Sequence, residues 1–349
     1  MTRPLDSIDL NLILNETSAL WEEMRGKRIF ITGGTGFFGR WLLESFLHIN
    51  SKLDLRAHAV VLSRNPAAFA TRVPHVAHDP SITLIAGDIT SYDYPEGTFD
   101  FVIHAATEVA VVSKPDAPLD RLHSIQLGTE HTLRFAVTHG TSKFLLTSSG
   151  AVYGRQPEHI THVPEDYAGA PDTSNTTSVY GEGKRVSELM CALYAACTPI
   201  EFKIARCFAF SGPGLALDSN FALGNFIADI MAGRTVSIAG DGTPTRSYLY
   251  AADLTIWLWT MLFRAPSMEI FNLGSEDSIS IADLAQRVVA TLDPAAKVVI
   301  AKQPAPEQQR VQYVPSTQKA QRLLGLRQIV SLDESIRRMA RWNGFEPRV

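Results

Sequence analysis

Short runs of consecutive apolar residues alternate, up to about residue 205, with longer stretches whose apolar positions recur every three or four residues. The short runs predict buried strands, and the periodic stretches predict amphipathic helices. Strands that alternate with helices predict a parallel, doubly wound sheet. The predicted strands are residues 27–32, 59–62, 82–86, 99–103, 143–147 and 201–205.

This alternation breaks after residue 214, where short strands and helices follow in no regular order. We therefore expect a smaller lobe that is interleaved with the end of the sheet. Before the first strand, a loose helical stripe in residues 1–25 predicts an extension that packs on the main body or on a partner subunit. The predicted elements of the second half are residues 224–231, 236–238, 246–250, 253–263, 269–273, 281–292 and 316–324.

The composition excludes several classes of protein. The chain has 349 residues, 45% of them hydrophobic, which is enough for one large domain or two fused lobes. Its net charge of -4 gives no reason to expect nucleic acid or an anionic membrane as a partner. No apolar run approaches the 18 or so residues that span a bilayer. The start of the chain lacks the apolar core of a signal peptide. The three cysteines have no metal-binding spacing, so we expect reduced, buried thiols, a cytoplasmic protein and no metal.

A glycine-rich turn joins the first predicted strand to the first amphipathic helix. Its glycines follow the spacing Gly-x-x-Gly-x-x-Gly, which lets backbone N–H groups approach a pyrophosphate at the helix N-terminus. In this strand–turn–helix context the turn predicts a bound dinucleotide. The expected cofactor contacts are Gly33, Thr35, Gly36, Phe37, Phe38 and Gly39.

The end of the second strand bears on the choice between NAD and NADP. An acid at this position would bind the adenosine 2′-hydroxyl and indicate NAD. The chain has Ser63 and Arg64 instead, while Asp54 precedes the strand and lies on the wrong side of the sheet. Arg64 could hold a 2′-phosphate, so we favour NADP over NAD. The alternative is an arginine that stacks on adenine or is merely solvated.

Other strand ends supply candidates for the same crevice, because ligands of such sheets bind at the carboxyl ends of the strands. Small residues after the fourth strand let a cofactor lie against the backbone. Ser149 follows the fifth strand, although a serine there could serve only the turn. Glu108 is either an acid or a hydroxyl contact, or else a solvated loop residue. The further cofactor candidates are Asp88, Ile89, Ala105, Ala106 and Thr107.

Tyr180 and Lys184 are four residues apart, and this spacing places both on one face of a helix. A nearby ammonium favours the ionised form of a phenol, so such a tyrosine can exchange protons with a sugar or steroid hydroxyl near neutral pH. Gly181 and Gly183 are unfavourable within a helix and predict a first turn crowded by a neighbouring segment. Taken alone, such a pair more often marks an exposed position on an amphipathic helix, and the other motifs of the chain are what favour the catalytic interpretation.

Together these motifs resemble the extended short-chain dehydrogenase/reductase family of nucleotide-sugar epimerases, dehydratases, decarboxylases and reductases. The resemblance covers roughly residues 27 to 345. It implies a Rossmann-type doubly wound parallel sheet with a smaller, interleaved C-terminal substrate lobe. We expect an N-terminal helical extension over residues 1–25 and an NAD(P)-binding Rossmann domain over 26–212. Residues 213–349 should form mainly the substrate-binding lobe, with about 250–275 returning to the Rossmann domain.

The resemblance also implies roles for particular residues. Ser149 and Tyr180 would act on a sugar hydroxyl or carbonyl, and Lys184 would hold the nicotinamide ribose and lower the tyrosine pKa. The substrate would be a nucleoside-diphosphate sugar, with its diphosphate contacted by Asn225, Arg246 and, less firmly, Arg310. By analogy, a homodimer would form through the helices that hold residues 116–137 and 180–196.

The chain departs from the family pattern at four positions. Dehydratases of the family carry an Asp-Glu pair, and decarboxylases a glutamate, where this chain has Gly150 and Ala151. Two asparagines usual in the family are replaced by Ile125 and Ala209. We therefore favour an epimerase or a 4-ketosugar reductase. The alternatives are a 4,6-dehydratase or decarboxylase with relocated acids and, from another class, a non-catalytic protein that senses NAD(P).

Overall fold

The computed structural model describes residues 2–106, 117–218, 221–303 and 311–348. Three of the candidate site residues, Thr107, Glu108 and Arg310, lie outside the described residues.

The strands are β1 (Arg28–Thr32), β2 (His58–Ser63), β3 (Ile82–Ala86), β4 (Phe101–His104), β5 (Lys143–Ser149), β6 (Glu201–Cys207), β7 (Phe210–Ser211), β8 (Val236–Ile238), β9 (Thr245–Arg246), β10 (Leu249–Tyr250), β11 (Ile270–Leu273), β12 (Ile279–Ser280), β13 (Val298–Ile300) and β14 (Gln312–Tyr313). The helices are α1 (Ser7–Thr17), α2 (Phe37–Lys52), α3 (Pro66–Arg72), α4 (Pro74–Ala77), α5 (Ala117–Thr138), α6 (Val179–Ala195), α7 (Ala222–Met231), α8 (Ala251–Arg264), α9 (Ile281–Leu292), α10 (Gln318–Leu324) and α11 (Leu332–Trp342).

A seven-stranded sheet carries the predicted nucleotide-binding motifs. Its strand order is β11-β6-β5-β4-β1-β2-β3, and the pairs from β6 through to β3 are parallel. Chain order reverses beside β1, whose last residue, Thr32, is in register with Leu62 on one side and His104 on the other. Such a switch point is where doubly wound sheets bind their ligands. The predicted fold class, a Rossmann-type parallel sheet, is confirmed.

The chain forms two compact units. The first contains Met1–Gly154, Ala168–Cys207 and Thr255–Phe271, and the second contains Arg155–Tyr167, Phe208–Leu254 and Asn272–Val349. One core cluster of the first unit fills the space beside the sheet with aromatic and aliphatic side chains, among them Phe30, Phe99, Phe135, Phe144 and Phe202. The second unit has its own core among α7, α9 and α11, with Leu223, Ile227, Leu284, Val288 and Met339 fully buried or nearly so.

The N-terminal extension packs within the first unit. Trp21 is buried, and its ring centroid lies 4.8 Å from that of Trp259 in α8. Nearer the start of the chain, the buried Arg40 of α2 donates to the buried Glu44 at 2.7 Å, and Glu44 also accepts from the backbone N–H of Leu5 at 2.7 Å. The hydrogen bond from Leu5 to Glu44 and the aromatic contact hold the extension on the main body, one of the two placements that we expected.

Two negative findings concern only the part of the chain that the structure describes. Within it, no helix combines the length and the apolar character needed to cross a bilayer. Within the same residues, no group of three histidine, cysteine or acidic side chains is arranged to hold a metal ion. The three cysteines, all of them described, form no disulfide. The expectation that all are buried is wrong, because Cys197 is exposed just after α6 while Cys191 and Cys207 are buried.

Candidate active site

The glycine-rich turn lies against the end of β4. Gly33 has a φ of +72°, and a Cβ there would be 2.5 Å from the carbonyl carbon of Ala105. Gly36, which precedes α2, is exposed, and a Cβ there would meet only the Gly33 carbonyl, at 3.4 Å. One side of the turn is thus closed by β4 and the other is open at the N-terminus of a 16-residue helix. This open cradle fits a pyrophosphate, which needs backbone N–H groups and a positive helix end.

The residues at the ends of β2 and β3 form the adenosine side of the candidate cofactor site. Ser63 is buried, and its hydroxyl accepts from the backbone N–H of Asn65 at 3.2 Å, so it orders its own turn. Arg64 is exposed. The pKa of Asp88 is lowered, first by hydrogen bonds from the side chain and backbone of Thr90 and then, more weakly, by the charge of Arg64. Arg64 therefore lies close enough to Asp88 for their charges to interact.

The three predicted catalytic residues meet at the end of β5. The buried Ser149 ends this strand, and its hydroxyl accepts from the backbone N–H of Ala151 at 3.1 Å. Tyr180 lies in the first turn of α6, and its hydroxyl is hydrogen-bonded to Ser149. Lys184 is buried one turn later, and its Nζ donates to the carbonyl of Thr147 at 2.8 Å. The i, i+4 spacing therefore does place both side chains at one strand end, as the helix prediction required.

Burial dominates the electrostatics of this cluster. Desolvation raises the pKa of Tyr180 to about 12, although the hydrogen bond with Ser149 acts in the opposite direction. Desolvation lowers the pKa of Lys184 to about 8, while Cys207 and Glu188 act to raise it. In the cofactor-free protein, burial therefore favours the uncharged form of both side chains, the phenol of Tyr180 and the amine of Lys184. The expected lowering of the Tyr180 pKa by Lys184 is wrong for this structure, because burial raises that pKa instead.

Two glycines allow α6 to approach its neighbours closely. A Cβ at Gly181 would be 2.5 Å from the carbonyl oxygen of Ala151, in the turn after Ser149. A Cβ at Gly183 would be 2.9 Å from the Cδ1 of Ile125 on α5. The prediction that this turn is crowded is confirmed, and the crowding segments are the β5 turn and α5.

The sequence reasoning missed two buried polar networks around the site. His104, at the end of β4, is within hydrogen-bond distance of Thr32 at 2.8 Å and of Thr129 at 3.2 Å, and Thr129 in turn is 2.9 Å from Ser187. Burial lowers the pKa of His104 to about 3, so the imidazole is neutral. In the sequence, the only indication of this network is the position of His104 at the end of a predicted strand.

The second network is ionic and joins α6 to the ends of β5 and β6. Glu188 is buried and accepts from Ser148 at 2.5 Å and from Arg206 at 2.7 Å. The Arg206 guanidinium lies 4.6 Å from the centre of the Tyr153 ring. Glu188 follows Lys184 by four residues, so the helical spacing that identified the lysine could also have identified this partner.

Comparisons with known proteins identify the family of this chain. A model of the NAD dependent epimerase/dehydratase family matches residues 29–274, which is more than half of the chain.

The chain belongs to the NAD-dependent epimerase/dehydratase family.

Its relatives span several activities. UDP-glucuronic acid decarboxylase 2 of Arabidopsis thaliana is 30% identical over 328 residues, covering 93% of this chain and 69% of that protein. The structure of UDP-glucuronic acid 4-epimerase from Bacillus cereus, in complex with UDP-glucuronic acid and NAD, aligns with a TM-score of 0.73 and 23% identity, over 90% of this chain and 98% of that one. The structure of UDP-glucose 4-epimerase from Thermotoga maritima, with UDP-glucose, aligns with a TM-score of 0.75 and 20% identity. The alignment covers 90% of this chain and 98% of that one.

This family member is therefore an NAD(P)-dependent enzyme of the extended short-chain dehydrogenase/reductase type. The expected resemblance is confirmed. The two structures below 25% identity support the fold alone, because function depends on the residues of the site.

The two remaining substrate candidates of this epimerase/dehydratase family member lie in the second unit. Asn225 is partly buried in the first turn of α7. Arg246 lies on β9, donates from Nη1 to the carbonyl of Thr245 at 2.9 Å and has its guanidinium 5.8 Å from the Tyr313 ring centre. Their contact with a substrate diphosphate stays a prediction.

The family's acidic positions contain no carboxylate in this chain. Gly150 and Ala151 form the short 3-10 turn that follows Ser149. Glu165, a conceivable substitute, accepts from the backbone N–H of Asn272 at 2.8 Å within the second unit. The residues described beside Ser149 therefore supply hydroxyls and an ammonium.

Proposed function

We propose that this protein is an NAD(P)-dependent epimerase or 4-ketosugar reductase that acts on a nucleoside-diphosphate sugar. The observation that carries the proposal is the cluster of Ser149, Tyr180 and Lys184 at the end of β5, next to a turn that has glycine and alanine where acids would be needed. Epimerisation and ketone reduction at one carbon need proton and hydride transfer only there. The names of the relatives support a sugar nucleotide as substrate, since they include UDP-glucose and UDP-glucuronic acid 4-epimerases.

The residues of the cluster would divide the work. When bound, the nicotinamide supplies the hydride acceptor or donor. As a phenolate, Tyr180 would take the proton of the sugar hydroxyl, and as a phenol it would donate a proton to the carbonyl oxygen in the reverse direction. Ser149 holds the same sugar oxygen and orients the phenol. Lys184 holds the ribose of the nicotinamide, and its ammonium favours the ionised phenol. The open side of the glycine-rich turn, at Gly36, receives the pyrophosphate.

A decarboxylase is the second candidate, because several curated relatives at 28–30% identity are UDP-glucuronic acid decarboxylases. Oxidation at C4 of a uronic acid produces a β-keto acid, and loss of carbon dioxide then requires a proton donor at C5. Decarboxylases of the resembled family have a glutamate at the position of Ala151. A methyl group cannot donate a proton, so this activity would require a relocated acid such as Glu108.

A panel of sugar nucleotides tests the proposal. The purified full-length protein is incubated with UDP-, dTDP-, GDP- and CDP-hexoses, with nucleoside-diphosphate 4-ketosugars and with UDP-glucuronic acid. Both cofactors are supplied in oxidised and in reduced form, and the products are identified by NMR. A C4 epimer, or a C4 alcohol formed from a 4-ketosugar, supports the proposal. A UDP-pentose with released carbon dioxide would establish the decarboxylase, and a 4-keto-6-deoxy sugar the dehydratase. Cofactor binding without turnover on any substrate would favour the sensing protein.

For the cofactor we propose a preference for NADP over NAD. The support is the absence of a carboxylate at the end of β2, where Ser63 and Arg64 stand. A 2′-phosphate beside an arginine gains a charge-assisted hydrogen bond. Titration of the nucleotide-free protein with both cofactors tests this preference, and tighter binding of NAD would refute it.

We also propose that the protein is a homodimer joined through α5 and α6. Leu127 on α5 and Leu189 and Leu193 on α6 are 50%, 58% and 61% exposed. Leu189 and Leu193 are one turn apart and share a helix face. Sedimentation of Leu189→Glu should give a monomer, whereas Leu323→Glu, at an exposed leucine of the second unit, should sediment like the wild type. A wild-type monomer would refute the proposal. The cytoplasmic location stays a prediction from the sequence.

A further inference from the structure

A second arginine lies beside the glycine-rich turn, on the side of β2. Arg72 is the last residue of α3, and its Nη2 donates to the backbone carbonyl of Thr35 at 2.7 Å. Thr35 is within the turn that would receive the cofactor, next to the exposed Gly36. The guanidinium is itself exposed, and the bond to Thr35 uses one of the five N–H donors that such a group carries. A cation is therefore placed at the rim of the cofactor site.

Three contacts fix the short helix that carries this arginine. The Asn65 side chain caps its N-terminus by accepting from the backbone N–H of Ala68 at 3.0 Å. In its middle, Phe69 is buried, with the Arg72 guanidinium 5.8 Å from its ring centre. At its C-terminus, Thr2 of the N-terminal extension donates to the Arg72 carbonyl from both its backbone N–H and its hydroxyl, each at 2.9 Å. Contacts at both ends of α3 therefore hold Arg72 in its position.

Arg64 and Arg72 lie at the two ends of the segment that leaves β2. The charge of Arg64 acts on Asp88, at the end of β3, whereas Arg72 is bonded to the turn after β1. β2 lies between β1 and β3 in the sheet, so the two arginines approach its carboxyl end from opposite neighbours. An adenosine ribose is bound at this strand end in sheets of this kind.

We propose that Arg72 is a specificity-determining residue that binds the 2′-phosphate of NADP together with Arg64. The inference rests on the proposed cofactor preference and identifies a contact nine residues beyond the strand end, outside the motifs that predicted the site. An arginine and a phosphate form one of the stronger charge-assisted pairs, and a rigid guanidinium suits a phosphate better than a flexible ammonium does.

Calorimetric titration of the full-length, nucleotide-free protein tests the proposal without any sugar substrate. The ligands are NADP, NAD, adenosine 2′,5′-bisphosphate and AMP, the last two differing by the 2′-phosphate alone. Arg72→Gln removes the charge and keeps a polar side chain. We expect NADP and the bisphosphate to bind at least about tenfold more weakly to this variant, while NAD and AMP stay within about twofold of the wild type. Arg72→Lys should retain part of the discrimination.

A matched control is Arg56→Gln, which removes the same charge from the opposite end of β2, where the side chain is 81% exposed. This variant should bind all four ligands as the wild type does. Equal weakening of all four ligands by Arg72→Gln would mean that the arginine only shapes the turn, and no change would mean that it does not reach the ligand. Wild-type protein that binds AMP as tightly as the bisphosphate would also overturn the proposal. If the titrations succeed but the sugar panel yields no product, the proposed reaction fails while the Arg72 contact stands.

Discussion

Replacing Lys184 by methionine should make the stability of the first unit less dependent on pH. Lys184 is 2% exposed, and burial lowers its pKa from 10.5 to about 8. The folded protein therefore holds this proton less tightly than the unfolded chain does. Methionine has a similar length and no charge, so it removes the titration. The Thr147 carbonyl loses its ammonium partner in the variant, but that loss does not change with pH.

The sign and the size follow from proton linkage. A group whose pKa is lowered on folding contributes stability above its unfolded pKa and loses that contribution as the pH falls through its folded pKa. For Lys184 the window is therefore between pH 10.5 and about pH 8. The whole difference corresponds to about 3 kcal/mol, at about 1.4 kcal/mol for each tenfold change in proton affinity. Between pH 7 and pH 9.5 the wild type should gain about 2 kcal/mol relative to Lys184→Met.

Denaturant unfolding of the nucleotide-free protein at pH 7 and pH 9.5, followed by tryptophan fluorescence, measures this difference. All groups that titrate alike in both proteins cancel from the comparison. Lys52→Met, at an exposed lysine at the end of α2, should leave the pH dependence of the wild type unchanged. If the wild type and Lys184→Met differ by the same amount at both pH values, the ammonium is not desolvated, and the electrostatic description of the site is wrong.

Four further substitutions probe the site, with Gly183→Ala as the control for Gly181→Ala. Tyr180→Phe should bind the cofactor normally but turn over at least about 10²-fold more slowly, since it removes the proton-transfer group; near-native turnover would remove Tyr180 from that role. Gly181→Ala should reduce activity by about 10²-fold, because its Cβ would be 2.5 Å from the Ala151 carbonyl oxygen. Gly183→Ala, whose Cβ would meet side-chain atoms of Ile125 and no backbone, should unfold within about 1 kcal/mol of the wild type. Glu188→Gln should destabilise the protein by about 3 kcal/mol in denaturant unfolding, because it leaves the partly buried Arg206 without its counter-charge; a wild-type midpoint would mean that the pair is solvated.

The elements that the sequence predicted well are those whose signal is local. The runs that became β1, β2 and β5 are apolar and short, and each is followed at once by turn residues that mark the strand end. Ser149, Tyr180 and Lys184 were recognisable for the same reason, because strand ends and i, i+4 spacing are properties of neighbouring residues.

The contacts that the sequence did not predict join residues far apart in the chain. Arg72 bonds to Thr35, 37 residues earlier, and its position depends on Thr2, 70 residues earlier. His104 meets Thr129, and Thr129 meets Ser187, only when α5 packs on β4 and α6 packs on α5. No local pattern distinguishes such an arginine from a solvated one at the end of a helix. Their detection requires the register of the sheet and the docking of each helix on it.

The glycines of α6 show how an unfavourable local choice can serve the site. Each glycine within a helix costs about 1 kcal/mol relative to alanine, so local propensity argues against this helix turn. At Gly181 the missing side chain allows a close contact. The α6 backbone lies directly on the Ala151 carbonyl, in the turn that follows Ser149. A side chain at that position would push the helix away from the strand end. Tyr180 and Lys184 extend from the same turns, so their reach to the Ser149 hydroxyl and to the end of β5 depends on that close approach. Since a displacement of about 1 Å can cost a factor of about 10² in rate, the helix propensity lost at Gly181 is smaller than the catalytic loss that a bulkier residue would cause.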